Sequence, residues 1–183
     1  MTVADRQRPP PGELFLDHIS HFVPDLDKAA ALLGRLGFVV TPVSVQRTQE
    51  GPAGTSNRCV MLAEGYLEFL TPTMDTPNAA RMRKSMRRYR GVHLACLGTP
   101  TADEEHFRLA QHGFAPQPIV RLSRKVEGGA TVKFNVVRAA PGKMPEGRIQ
   151  YVEQLTPQVI WRFFGFLQTE TCTFGCQLKS VYT

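Results

Sequence analysis

The sequence predicts an α+β protein made of two βαβββ modules that form paired half-barrels around a shared cleft. Three observations carry this reading. Strand-like and helix-like stretches follow one another in the same order twice. A Gly-Phe dipeptide, Gly37-Phe38 and then Gly113-Phe114, closes the helix in both runs. Single polar residues interrupt apolar strands at matching places in the two runs.

The first strand is expected over Leu14 to Phe22. Asp25 follows as a helix N-cap, and Leu26, Ala29, Ala30, Leu33 and Leu36 recur at helical spacing until Gly37 ends the helix. Phe38-Val39-Val40 starts the next strand. A Gly/Pro/Thr/Ser-rich stretch from Thr48 to Asn57 reads as a loop, and Arg58 to Leu62, the turn Ala63-Glu64-Gly65 and Tyr66 to Leu70 read as a hairpin.

The second run starts at Val92 to Leu97. Thr99-Pro100 supplies a helix start and Gly113 a stop. Strands are expected at Phe114, Arg121 to Val126, Val132 to Val137 and Arg148 to Val152. Domain boundaries follow: a loose leader over 1–13, a first module over 14–74, a linker helix over 75–90, a second module over 91–157, and a tail over 158–183 to which no structure is assigned.

Composition narrows the class. The chain of 183 residues is long enough for a real core, and its 42% hydrophobic and 21% charged residues are ordinary for a globular protein. It contains neither an apolar run of membrane-spanning length nor an apolar signal-peptide core near its start, so a cytoplasmic protein with no membrane partner is expected. Cys59 and Cys96 sit inside apolar runs as small core residues. Cys172 and Cys176 lack the further ligands a zinc site needs.

The net charge of +6 is local. Arg81, Arg83, Lys84, Arg87, Arg88 and Arg90 crowd one helix, and the remaining 16 basic residues match the 16 acidic ones. Met82, Met86 and Tyr89 form an apolar stripe on that helix, which predicts packing against the domain. No nucleic-acid motif accompanies it, and nucleic-acid binding is not expected.

Strands alternate their side chains between faces, so Leu67 and Phe69 send Glu68 away from the apolar side. Val92 and Leu94 do the same for His93, and Ile149 and Tyr151 for Gln150. His18 has Ile19 after it but Asp17 before it. Two imidazoles, a carboxylate and an amide oxygen converging on one cleft suit a divalent ion such as Zn, Mn, Fe, Co or Ni. Each also has a plainer role, as a hydrogen-bonded cleft residue or, for Glu68, on a wet sheet face. Asn57 and Arg58, near the first hairpin, are candidates to hold an anionic substrate.

Leu16-Asp17-His18-Ile19, with Val23-Pro24-Asp25-Leu26 and Leu36-Gly37-Phe38, resembles the first module of the vicinal oxygen chelate superfamily. Gly54-Thr55-Ser56-Asn57-Arg58 with Gly65-Tyr66-Leu67-Glu68 resembles its glyoxalase-like branch. The resemblance covers 14–157 and implies metal ligands on the first and last strands of paired modules: His18, Glu68, His93 and Gln150. Gln150 departs from the commoner carboxylate. The implied activity is a metal-dependent lyase, isomerase or ring-cleaving dioxygenase acting on a small oxygen-rich substrate, with Glu68 as ligand and catalytic base. The alternative is a non-catalytic small-molecule-binding module of the same fold. Clefts of this type can be completed within one chain or across a homodimer.

Overall fold

The computed structural model describes residues 8–62, 64–125, 129–144 and 147–160. Cys172, Cys176 and most of the tail lie outside these residues. The order is β1 (Phe15–Phe22), α1 (Leu26–Arg35), β2 (Ser44–Thr48), β3 (Gly51–Met61), β4 (Tyr66–Pro72), α2 (Pro77–Arg88), β5 (Val92–Gly98), α3 (Ala102–Gln111), β6 (Val120–Lys125), β7 (Thr131–Arg138) and β8 (Arg148–Gln154). The strands close into one barrel in the order β1-β4-β3-β2-β6-β7-β8-β5. Among the described residues no helix is long and apolar enough to cross a membrane.

Helix ends follow the local chemistry. Asp25 Oδ1 accepts from the backbone N–H groups of Asp27 and Lys28, each at 3.0 Å, which caps α1 as expected. Thr76 caps α2 through Ala79 N–H, with Pro77 in the first turn. α3 begins two residues later than Thr99-Pro100 suggested, with Thr101 as its N-cap.

The strand boundaries of the first run differ more. Phe38-Val39-Val40 belongs to no strand; β2 begins at Ser44, beyond Pro42, which has no N–H for a ladder. The stretch read as a loop is instead most of β3. Its polar residues are held on both sides, Ser44 opposite Asn57 on β2 and Ser56 opposite Thr71 on β4. Inside the closed sheet Thr55, Ser56 and Asn57 are all buried. Tertiary pairing outweighs local propensity here.

The apolar core lies in layers. Cys96, Val136 and Val152 fill the barrel interior. α2 sets Met82, with Met86 beside it, on Phe22, Leu70 and Leu94, as its apolar stripe predicted. α3 packs Ala102 and Leu109 on Val137 and Tyr151. Cys59 and Cys96 are buried free thiols.

One turn fixes the start of β4. Gly65 has φ +77, and a Cβ there would stand 2.5 Å from the Asp17 carbonyl oxygen. The left-handed backbone alone costs a non-glycine residue about 1–2 kcal/mol. Gly65→Ala is therefore expected to lower the melting temperature by several degrees in a thermal unfolding scan.

Candidate active site

Strand register decides which side chains meet. β1 and β4 run parallel with Ser20 opposite Glu68, and β5 and β8 run parallel with Cys96 opposite Gln150. β1 and β5 run antiparallel, pairing His18 with Cys96 and Ser20 with Leu94. Ser20 thus matches Cys96, Glu68 matches Gln150, and His18 matches Leu94. His93 lies one residue out of step, and one residue moves a side chain to the other face.

The side chains follow that register. His18, Glu68 and Gln150 are buried around a small cavity of about 40 Å³ inside the barrel, together with Gln46, Tyr66 and Leu94. His18 Nε2 stands 3.6 Å from Glu68 Oε2. Glu68 is held from three directions. Ser20 Oγ donates to Oε2 at 2.6 Å, Asn57 Nδ2 to Oε1 at 2.6 Å, and Gln46 Nε2 to Oε1 at 3.3 Å. On the opposite side Arg138 Nε donates to Gln150 Oε1 at 3.3 Å. Arg138 and Arg148 both line the cavity.

His18 is stacked on Tyr66, ring centroids 4.3 Å apart, and bonds through Nδ1 to Asp17 Oδ1 at 2.5 Å. Burial opposes charge on its ring, but Cys96 and the Asp17 carboxylate outweigh it and hold the pKa well above the usual imidazole value. Asp17 is wholly buried and also accepts from Gln154 Nε2 at 3.2 Å. Burial first, then the Asp17 and Glu68 charges, push the Tyr66 phenol well up, so it stays neutral. Burial also pulls Arg138 down to about 10, helped by repulsion from Arg148 and Arg81. Arg148 is lowered for the same reasons, burial first and then Arg81.

A raised folded-state pKa gives a signed expectation. The stability contributed by charged His18 is fully present below about pH 6.5, its unfolded value, and is lost as pH rises through the folded value. The melting temperature of the wild type is expected to fall across that upper range more steeply than that of His18→Gln. Parallel slopes in scans from mildly acidic to alkaline pH would remove His18 as the cause.

His93 lies elsewhere. It is buried between Phe22 and Tyr89, with centroids 4.7 and 4.6 Å away. Phe22 N–H donates to its Nδ1 at 3.2 Å, which leaves Nε2–H to donate to the Tyr89 carbonyl at 3.2 Å. Both nitrogens are thus engaged, and the ring lines a second cavity at the end of the barrel. Asn57 reaches the site only through Glu68. Arg58 points away, donating to the Thr41 carbonyl at 3.0 Å and pairing with Asp27 at 2.8 Å. Gln46, Asp17, Ser20, Arg138 and Arg148 are site residues that sequence reasoning passed over.

Two oxygen or nitrogen ligands on one ion lie about 3 Å apart, so the His18–Glu68 spacing is near what a chelate needs. The rest of the set falls short. Leu94 occupies the fourth position, Gln150 Oε1 is engaged by Arg138, and two guanidiniums face the same space as a dication would. Among the described residues no group of three or more His, Cys, Asp and Glu is placed to hold an ion. The residues present do not fit the metal.

The closed α+β barrel thus holds an acid–imidazole pair, with two arginines lining the same cavity. The chain belongs to the glyoxalase-like domain family, whose model matches residues 16–163, and so to the vicinal oxygen chelate fold. No curated protein matches the sequence. Solved structures share the fold. A hypothetical protein from Staphylococcus aureus is 16% identical with a TM-score of 0.64, over 83% of this chain and 65% of that one, so this chain spans a little under two thirds of that protein. A variant of Streptomyces coelicolor methylmalonyl-CoA epimerase, in complex with 2-nitronate-propionyl-CoA, is 20% identical with a TM-score of 0.57, over 76% and 96%. Methylmalonyl-CoA epimerase from Mycobacterium tuberculosis is 18% identical with a TM-score of 0.56, over 79% and 91%.

Proposed function

We propose that this protein is an acid–base enzyme of the isomerase or lyase class, acting on a small, anionic, oxygen-rich substrate. The observation that carries the reading is the Glu68–His18 pair, 3.6 Å apart in a buried cavity whose wall also holds Arg138 and Arg148. Glu68 takes a proton from a carbon next to a carbonyl group. The charged His18 ring and the two guanidiniums steady the negative charge that then develops on the carbonyl oxygen. Asn57, Ser20 and Gln46 fix the carboxylate, and Asp17 fixes the imidazole. The cationic side chains supply the charge stabilisation that a metal supplies elsewhere, so the metal-dependent form of the reaction is not part of this reading.

Residues 14–74 and 91–157 act in this account as two modules whose interiors join in one site, with 75–90 as the linker. The buried free thiols of Cys59 and Cys96 suit a reducing compartment, and a cytoplasmic address completes the reading.

Uptake of solvent deuterium beside the carbonyl of small anionic compounds, followed by NMR, tests the proposal. The panel would include 2-oxo acids and methylmalonyl-CoA, the compound in the names of the similar epimerases. Exchange on at least one member is expected. Saturable binding with no exchange on any member would favour the non-catalytic binding module.

A further inference from the structure

The second cavity, about 360 Å³, has the size of a metabolite site, and the charged side chains that line it among the described residues are cationic. Arg81 and Lys84 reach it from α2, Arg138 from the end of β7 and Arg148 from the start of β8; Arg88 lines it too. No Asp or Glu lines it among the described residues. The salt bridges among those residues involve none of Arg81, Lys84, Arg138 and Arg148. Arg148 Nε is moreover a buried donor with no hydrogen-bond partner among the described residues.

Most charged helices resolve their repulsion by facing water. Here Arg81, Lys84 and Arg88 of α2 and the arginines of two strand ends line one concave space that is open to solvent on the α2 side, beside the ring of Tyr89 and the doubly hydrogen-bonded His93. Like charges gathered around a low-dielectric pocket repel one another, and a multiply charged anion in their midst reverses the sign of that energy. Guanidinium groups match the oxygen geometry of phosphate in particular.

We propose that this cavity binds a diphosphate group carried on a small metabolite. Arg138 and Arg148 line both cavities, so a diphosphate held here keeps the rest of its molecule at the mouth of the Glu68–His18 site. The inference goes beyond the proton-transfer reading and shares Arg138 and Arg148 with it; because binding is measured without turnover, failure of the one is distinguishable from failure of the other.

The test is calorimetric titration of the full chain with pyrophosphate at low ionic strength, with inorganic phosphate and adenosine diphosphate as comparison arms. One saturable site is expected, about tenfold or more tighter for pyrophosphate than for phosphate. Tighter binding of adenosine diphosphate than of pyrophosphate would point to a nucleotide-type carrier, and equal binding to the diphosphate alone as the recognised group. Arg81→Gln and Lys84→Gln, both exposed on α2, are each expected to weaken binding about tenfold. Arg87→Gln and Arg90→Gln remove the same charge from positions outside the cavity lining and are expected to change it less than about twofold. As a readout without substitution, pyrophosphate should protect Lys84 from acetylation and leave exposed Lys28 unprotected. No saturation at millimolar pyrophosphate, or equal weakening by all four substitutions, as a diffuse basic face for nucleic acid would give, overturns the proposal.

Discussion

Glu68→Gln is expected to lower deuterium exchange by about a hundred- to ten-thousand-fold while leaving substrate binding within a few-fold of wild type. The amide is nearly isosteric and stays between Asn57 and Ser20, but it has no basic oxygen to receive the proton. Its other neighbours tolerate the change unequally. Ser20 can turn its hydroxyl, whereas two of the donors to Oε1, on Asn57 and Gln46, then face one amide. Glu68→Ala is therefore the poorer test, since it removes from a buried space the oxygens to which Ser20 Oγ, Asn57 Nδ2 and Gln46 Nε2 donate. An exchange rate that survives Glu68→Gln would move the base elsewhere in the cavity.

The second large effect falls on stability. Asp17→Ala is expected to destabilise the fold by about 3 kcal/mol, the cost of leaving one member of a buried ion pair without the other. Asp17 is fully buried, bonds His18 at 2.5 Å and accepts from Gln154. For a domain of this length that loss is a fall of about 6–12 °C in melting temperature. The sign follows the protonation of His18: the loss should be greatest at mildly acidic pH, where the ring is charged, and should shrink as pH rises through the folded-state pKa. His18→Gln combined with Asp17→Ala should cost less than the two separate losses together, because the partners act as a unit.

Much of this site was legible in the sequence. Glu68 and Gln150 stood out because apolar neighbours on both sides assign them to one strand face, and the barrel brings them to the same space. His18 was found although Asp17 broke its apolar frame. That break was itself a signal, for Asp17 is the residue that holds the imidazole. His93 has as full an apolar frame as Glu68 and Gln150 and yet faces the second cavity. The difference was visible as a single residue: His18 stands one position nearer to Gly37-Phe38 than His93 does to Gly113-Phe114. In a strand of period two that offset exchanges faces, and it sets Leu94 beside His18 and His93 beside Phe22 and Tyr89.

The remainder was hidden for a physical reason. Arg138 and Arg148 sit at strand ends, where a cation reads as solvated surface until closure of the sheet turns it inward. Gln46 lies on β2, which pairs with the adjacent β3 on one side but with β6, distant in sequence, on the other. β3 itself reads as a loop because its Gly, Pro and Asn residues are poor strand formers in isolation. Burial between two neighbours, not propensity, makes it a strand, and that same burial places Asn57 against Glu68.

In the proposed reaction the buried His18 ring and two half-buried guanidiniums, and not a metal ion, stabilise charge beside Glu68. The most direct measurement compares deuterium exchange by chelator-stripped protein with exchange after resupply of Zn, Mn, Fe, Co or Ni, with metal content determined on untagged protein. Metal content well below one equivalent and the same exchange rate before and after resupply are expected. Exchange that appears only with one bound equivalent of metal, held by wild type and lost from both His18→Gln and Glu68→Gln, would contradict it.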